Sequence, residues 1–354
     1  MSDGRPLRAG VIGVGSMGEN HVRVYDQLDA TTLAGVFDVR EDRAAAVADT
    51  YGTTALDLDA LLDAVDVVSV TVPTRYHHVM ARECLTRGVD TLVEKPFVAD
   101  PEKGRELAAL AADHDATLQV GHIERFNPAV RALDDVLPGL DVISMQAERL
   151  GPPPDREVND NAVRDLMIHD VDVVTTLCEG EVVDVEATGT AAGRYAVANL
   201  TFGDGVVCNF TASRVTQEKV RRLIVTAREC RVKVDYIDQA VEIHRASAPE
   251  YVRDGTGVRY HHENVVERLT VERQEPLKAE LDAFARAAAT GADPPVTAED
   301  GLRAIRLVEA IDSSMASKPP AEGGGAAEGD ETAEGSETAG EVTGAAPGAG
   351  PSLD

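Results

Sequence analysis

Cysteine is scarce in this chain: Cys84, Cys178, Cys208 and Cys230 are the only four in 354 residues. They form no C-x-x-C pair and no metal-like cluster with histidine, so they read as small apolar residues in a reducing compartment. Basic residues are also few, with 34 Lys and Arg against 62 Asp and Glu and a net charge of −28. An acidic surface of that size argues against nucleic acid or an anionic membrane as a partner. No apolar stretch approaches the length of a membrane span, and the opening M-S-D-G-R-P has no signal-peptide hydrophobic region. Together these absences predict a cytoplasmic protein.

The acidity is not confined to one end. Before residue 318 there are still 54 acids against 33 bases, with few lysines and many alanines, the composition of a protein from a salt-loving microbe. From Lys318 onward the chain is Gly-, Ala-, Glu- and Thr-rich, without aromatics or hydrophobic periodicity. It cannot bury enough apolar area to offset its ordering entropy, which predicts a disordered acidic tail over 318–354.

What is present begins with Leu7 to Glu19, L-R-A-G-V-I-G-V-G-S-M-G-E. An apolar run leads into glycines at 13, 15 and 18 and then an amphipathic segment, which is a strand, a tight turn and a helix start. In that setting Gly13 permits the turn, Gly15 admits a pyrophosphate to the main chain, and Gly18 lets helix and strand pack closely. Ser16 and Met17 complete the loop at the helix N-terminus, whose free N–H groups and positive dipole end favour phosphate. A second strand, Thr32 to Asp38, ends on an acid placed to accept hydrogen bonds from the adenosine ribose, which favours NAD over NADP. Arg40 nearby is the residue that would accommodate a 2′-phosphate.

Strand and helix patterns alternate through residue 121: helices at 41–51, 58–64, 75–87 and 101–114, strands at 66–72, 91–94 and 117–121. Alternation of this kind makes a doubly wound parallel sheet with ligands at the carboxyl ends of its strands. Pro73, His77 and the Glu94-Lys95-Pro96 turn fall at such ends. Past about residue 140 the pattern changes to a strand at 141–150, a helix at 160–178, and alternating runs at 182–191, 197–202, 206–214, 221–227 and 231–243 joined by turn signals. The expected fold class is therefore α/β. A Rossmann domain at 1–123 precedes an α+β domain with a mostly antiparallel sheet at 124–317, whose closing helix, 298–316, is a candidate to pack back on the first domain. A sheet covered by a helix on one face leaves the other for a second subunit, so a homodimer or homotetramer is expected.

Three groups carry candidate chemistry. Lys95 closes the fourth strand, where an ammonium group can bond a substrate hydroxyl and stabilise the alkoxide that precedes hydride loss. Pro96 suits a cis peptide bond. Asp165-x-x-x-His169-x-x-Asp172 lies on a helix with its side chains on one face, so His169 is either a general base beside a carboxylate or a core histidine satisfied by one. No H-x-x-x-H or cysteine ligand accompanies these residues, and no metal is expected. In Gly121-His122-Ile123-Glu124-Arg125-Phe126-Asn127-Pro128, Glu124 is a candidate substrate ligand, Arg125 offers a fork for phosphate or carboxylate, and Asn127 either reads a hydroxyl or caps the helix beginning at Pro128.

With G-V-G-S-M-G at 13–18, P-T-R-Y-H at 73–77, E-K-P at 94–96 and D-x-x-x-H-x-x-D at 165–172, the chain resembles the Gfo/Idh/MocA oxidoreductase family over nearly all of its folded part. The resemblance implies NAD(P) binding and oxidation or reduction of sugar and cyclitol carbons. Lys95, Asp165 and His169 then become the catalytic residues, with His169 the base. Within the family, G-H-I-E-R-F-N-P-A and D-L-M-I-H-D look most similar to nucleotide-sugar 3-dehydrogenases acting on UDP-N-acetylglucosamine. A diphosphate substrate would give Arg125, and Arg214 in S-R-V at 213–215, an electrostatic role. The glycine-rich run that commonly precedes the aspartate is replaced here by N-D-N-A-V-R. Oxidation of a free sugar or inositol, and a non-catalytic sugar-sensing protein of the same fold, are the competing expectations.

Overall fold

The computed structural model describes residues 5–153, 160–190, 192–246, 250–254, 257–261 and 264–317. The first sheet is built from β1 (Leu7–Ile12), β2 (Thr31–Phe37), β3 (Val67–Val70), β4 (Asp90–Glu94) and β5 (Leu118–Gly121), all parallel in the order β2-β1-β3-β4-β5. Every residue of β3 (V-V-S-V) is buried, as a strand covered on both faces must be. The covering helices are α1 (Ser16–Gln27), α2 (Glu41–Tyr51), α3 (Leu58–Ala64), α4 (His77–Thr86) and α5 (Pro101–Asp113). Local chemistry sets their ends. Asp57 accepts from Ala60 N to cap α3, and Asp100 accepts from Glu102 N with Pro101 in the first turn of α5. Gly88, at φ +69°, takes the left-handed position that ends α4.

Two short helices, α6 (Pro128–Arg131) and α7 (Leu133–Val136), lead to the second sheet. Its strands are β6 (Val142–Leu150), β7 (Val182–Gly189), β8 (Tyr195–Phe202), β9 (Val207–Ser213), β10 (Val220–Ala227), β11 (Arg231–Asp235), β12 (Ala240–Ala246) and β15 (Asn264–Leu269). They run β15-β12-β11-β10-β6-β9-β8-β7, antiparallel except for the β6–β9 pair. Two further strands, β13 (Glu250–Asp254) and β14 (Gly257–His261), form a separate hairpin.

The structure alters two expected elements. The single run read at 231–243 is two strands, because Tyr236–Gln239 turns, with Gln239 at φ +50°. The helix read over 160–178 is a π turn at Val163–Met167 followed by α8 (Ile168–Leu177). The residues from 318 onward, read as a tail, lie outside the described residues.

The two sheets do not divide the chain cleanly at residue 123. Helix α9 (Pro276–Thr290) sends Leu277, Leu281 and Phe284 into the core shared with Val22 and Tyr25 of α1. Helix α10 (Ala298–Ala316) opens with a Thr297/Asp300 capping box. Its Leu302 and Ile305 enter the core beneath α5 and β5, while Val308 and Ile311 enter the core under the second sheet. The last two helices thus tie both sheets together, and the carboxyl end of β4 meets the π turn before α8 through Lys95 and Asp165.

Candidate active site

The turn after β1 is shaped for close approach. Gly13 sits at φ +90°, and a Cβ at Gly18 would lie 1.9 Å from the Gly13 carbonyl oxygen, so only glycine allows α1 this near the strand. At Gly15 the nearest such neighbour is Arg43 Nη1 at 3.7 Å, which leaves the main chain open. Gly15 is also the N-cap of α1 and supplies no side-chain acceptor to its first-turn N–H groups, which remain available to an anion. Ser16 and Met17 form the first turn; Met17 is exposed. Thr71 Oγ1 donates to Gly13 O at 2.6 Å, tying the turn to the strand beside it.

Asp38 is buried at the end of β2. Its Oδ2 accepts from Val14 N and its Oδ1 from Arg40 N, both at 2.9 Å, so the carboxylate pins the glycine turn. A carboxylate has about four lone-pair sites, and with Arg43 Nη1 also 3.4 Å from Oδ2 one remains for a ribose hydroxyl. The Arg40 guanidinium turns outward to Asp42 at 3.1 Å. Arg43, in the first turn of α2, is the guanidinium that stands beside Asp38 (3.4 Å) and Gly15. The guanidinium beside Asp38 is therefore that of Arg43, not that of Arg40. These features together fit a dinucleotide.

The second half of the site gathers around Lys95. The Lys95–Pro96 bond is cis. Glu94 is buried, meets His21 Nε2 at 3.0 Å and accepts from Lys95 N at 3.1 Å, fixing the turn from below. Lys95 Nζ donates to Asp165 Oδ1 at 2.9 Å and to the Asp165 carbonyl at 2.8 Å. An ammonium has three N–H donors, so one remains for a substrate oxygen. Arg214 Nη2 holds the other Asp165 oxygen at 2.5 Å, and Arg214 Nη1 donates to Asp160 O. Burial opposes ionisation of Asp165, but Lys95 and Arg214 outweigh it and bring its pKa down to about 2. The π turn lies here, a feature often found where a helix must present a group out of register.

His169 stands one turn further on. Its ring is half-buried, Nδ1 is enclosed without a partner, and any proton exchanged with the cleft therefore passes through Nε2. Burial, then the charges of Lys95 and Arg149, push its pKa well below the usual value, so the ring is neutral near pH 7 and able to accept a proton.

The structure reassigns several residues. Asp172, expected beside His169, is buried and takes Arg125 in a two-bond pair (2.8 and 2.6 Å). Arg125 Nη1 also lies 3.3 Å from Asp300, so two carboxylates neutralise it and it is not a free cation for a diphosphate. Asn127 is buried, accepts from Ala129 N as the cap of α6 and donates to Tyr236 O. Glu124 pairs with Arg149 at 2.8 Å. His77 is buried with Nε2 2.7 Å from Val72 O and Nδ1 2.9 Å from Pro96 O, joining the Pro73 turn to the Lys95 turn rather than facing a ligand. Pro73 itself opens the 3₁₀ turn Thr74–Tyr76.

Sequence reading missed Arg149, which grips Asp170 through Nε and Nη2 at 2.8 and 2.9 Å, and His21 beneath Glu94. No local spacing joins residue 149 to 170 or 21 to 94. A separate hollow of ≈ 260 Å³, lined by Arg125, Val130, Val173 and Leu177 among others, contains none of Lys95, Asp165 or His169. Among the described residues no group of three or more His, Cys, Asp or Glu is arranged to hold a metal, and no helix is long and apolar enough to cross a membrane.

Comparison with known proteins bears on the fold and family. Residues 7–122 match the oxidoreductase family, NAD-binding Rossmann fold, and residues 154–322 match that family's C-terminal alpha/beta domain. The chain is 36% identical over 309 residues to UDP-N-acetylglucosamine 3-dehydrogenase of Acidithiobacillus ferrooxidans, covering 86% of this chain and 95% of that one. It is 27% identical over 329 residues to an inositol 2-dehydrogenase of Rhizobium meliloti, covering 88% and 98%. The solved structure of the Acidithiobacillus ferrooxidans enzyme superposes with a TM-score of 0.79 at 32% identity, over 88% of this chain and 98% of that one. The chain belongs to the Gfo/Idh/MocA family and is an oxidoreductase.

Proposed function

We propose that this oxidoreductase uses NAD to oxidise the 3-hydroxyl of a UDP-linked N-acetylhexosamine. The observation that carries the chemical part is the Lys95–Asp165–Arg214 cluster at the carboxyl end of β4, with neutral His169 beside it. A bound nicotinamide supplies the hydride acceptor. His169 takes the hydroxyl proton as the C3–H bond gives up its hydride. The third N–H of Lys95 bonds the same oxygen and stabilises its developing negative charge, while Asp165 holds the ammonium in place. Asp38, with both oxygens already aligned on the turn, favours the ribose hydroxyls of NAD over a 2′-phosphate. The nucleotide-sugar substrate is supported by the 36% identity to a UDP-N-acetylglucosamine 3-dehydrogenase.

The second reading is oxidation of inositol or a free sugar. It is favoured by the similarity to an inositol 2-dehydrogenase and by the neutralised state of Arg125. The deciding experiment follows NADH absorbance in high salt, offering NAD with UDP-N-acetylglucosamine, glucose or inositol in the presence of a ketone trap. Turnover with the UDP-sugar alone supports the first reading; turnover with inositol or glucose alone replaces it with the second.

A further inference from the structure

Four of the cations around the site are already paired with carboxylates. Lys95 and Arg214 share Asp165, Arg149 holds Asp170 and Glu124, and Arg125 holds Asp172 and Asp300. A fifth cation, Arg221, is different. It lies on β10 directly across from Arg149 of β6, and residues 221, 223 and 225 share the face on which Leu223 and Val225 enter the core. Arg221 is therefore half-buried at the site end of that face, where its charge acts on His169 and it feels Arg149 and the carboxylates of Asp170, Glu124 and Asp165 without touching them. Its Nη1 donates to Leu150 O at 2.5 Å and Val220 O at 2.7 Å, which fixes the plane of the guanidinium. Nε and Nη2 have no partner, and no carboxylate lies within salt-bridge distance, among the described residues.

A half-buried guanidinium carries a desolvation cost that is normally offset by a carboxylate. In a chain with 62 acidic residues such a partner is easily supplied, and the neighbouring Arg222 pairs with Glu148 on the opposite face. An arginine held rigid beside the reacting groups, and unpaired among the described residues, is arranged to receive an anion from outside the protein.

We infer that Arg221 binds the substrate's diphosphate, donating from Nε and Nη2 to a phosphate oxygen of the nucleotide-linked sugar. This rests on the nucleotide-sugar reading and assigns its anion subsite to a residue other than Arg125 or Arg214. The test compares wild type with Arg221→Gln, Arg221→Lys and, as a control, Arg222→Gln. It measures KM and kcat for UDP-N-acetylglucosamine at saturating NAD, and equilibrium binding of UDP by calorimetry. Arg221→Gln should raise KM about 10–100-fold, the loss of one charge-assisted contact, with kcat changed less than about threefold. UDP binding should weaken in parallel, Arg221→Lys should recover part of the loss, and the KM for NAD and the behaviour of Arg222→Gln should match wild type. If wild type turns over the UDP-sugar and both Arg221 variants keep its KM, the assignment is wrong while the function stands. A fall in kcat at constant KM would also overturn it, because that pattern belongs to a residue that only positions Arg149 or His169. If wild type neither binds UDP nor oxidises the UDP-sugar, the nucleotide-sugar reading falls and the assignment falls with it.

Discussion

Lys95 spends two of its three N–H donors on Asp165, and that division decides what its removal should do. Lys95→Ala should lower kcat by roughly 10²–10⁴-fold with NAD affinity little changed, because the lost interaction strengthens only as negative charge develops on the substrate oxygen. Steady-state kinetics with NADH detection checks this; a near-normal kcat would remove Lys95 from the chemistry. His169 makes a pH prediction. Its folded pKa lies well below 6.5, so the base form persists as pH falls through 6.5, and kcat/KM should show no break there. A clear inflection at pH 6.5 would mean that the ring does not feel the surrounding cations. Glu280 of α9 offers a stability test. It is fully buried with both carboxyl oxygens unpartnered, and burial, reinforced by Glu94 and Asp172, raises its pKa well above 4.5. The unfolded chain loses that proton above about pH 4.5 whereas the fold retains it, so this group destabilises the protein increasingly as pH rises. Glu280→Gln should therefore raise Tm, by more at pH 8 than at pH 5.

At the scale of elements, two local devices position the chemistry. The first is the glycine turn between β1 and α1. A methyl group at Gly18 would overlap the Gly13 carbonyl, so Gly18→Ala must push α1 away from β1. The expected result is loss of NAD binding in a fluorescence titration with most of the circular dichroism retained; unimpaired binding would show that the helix has room to move. The second is the π turn at Val163–Met167, where Asp165 presents both its carbonyl and its carboxylate to Lys95. A reading based on regular helix periodicity put Asp165, His169 and Asp172 on one face. With the turn widened and Arg125 lying below, Asp172 instead serves the core. Glycine spacing survives folding because it encodes backbone geometry directly, whereas side-chain partnership on a helix depends on what packs against it.

Across the whole molecule, charge and the open face of the second sheet are the dominant features. A chain carrying −28 repels itself at low ionic strength, and counterions relieve that repulsion. Tm should rise steeply between about 0.1 M and 1 M salt, where the Debye length falls from roughly 10 Å to 3 Å. A flat Tm over that range would show that local ion pairs already balance the surface. The face of the second sheet opposite the buried Cys208, Phe210 and Ala212 exposes Val207 of β9, at 46%. We propose this face as the contact between copies of the chain. Val207→Lys should then reduce the mass measured by light scattering, and an unchanged mass would exclude it.

Some of this protein was determined by sequence alone. The glycines at 13, 15 and 18, the acid at 38 and the turn at 94–96 act through nearby backbone, so order and spacing suffice to identify a dinucleotide fold. The alternation of β and α segments likewise fixes a parallel sheet, because each short connection has few ways to close. What only tertiary structure decided is the pairing of charges. Arg125 with Asp172, Arg149 with Asp170, Arg214 with Asp165 and Arg43 with Asp38 join residues between 5 and 49 positions apart. In a chain so rich in acids, sequence offers each arginine many equivalent partners. Which carboxylate it meets follows from how α8, α9 and α10 close over the two sheets.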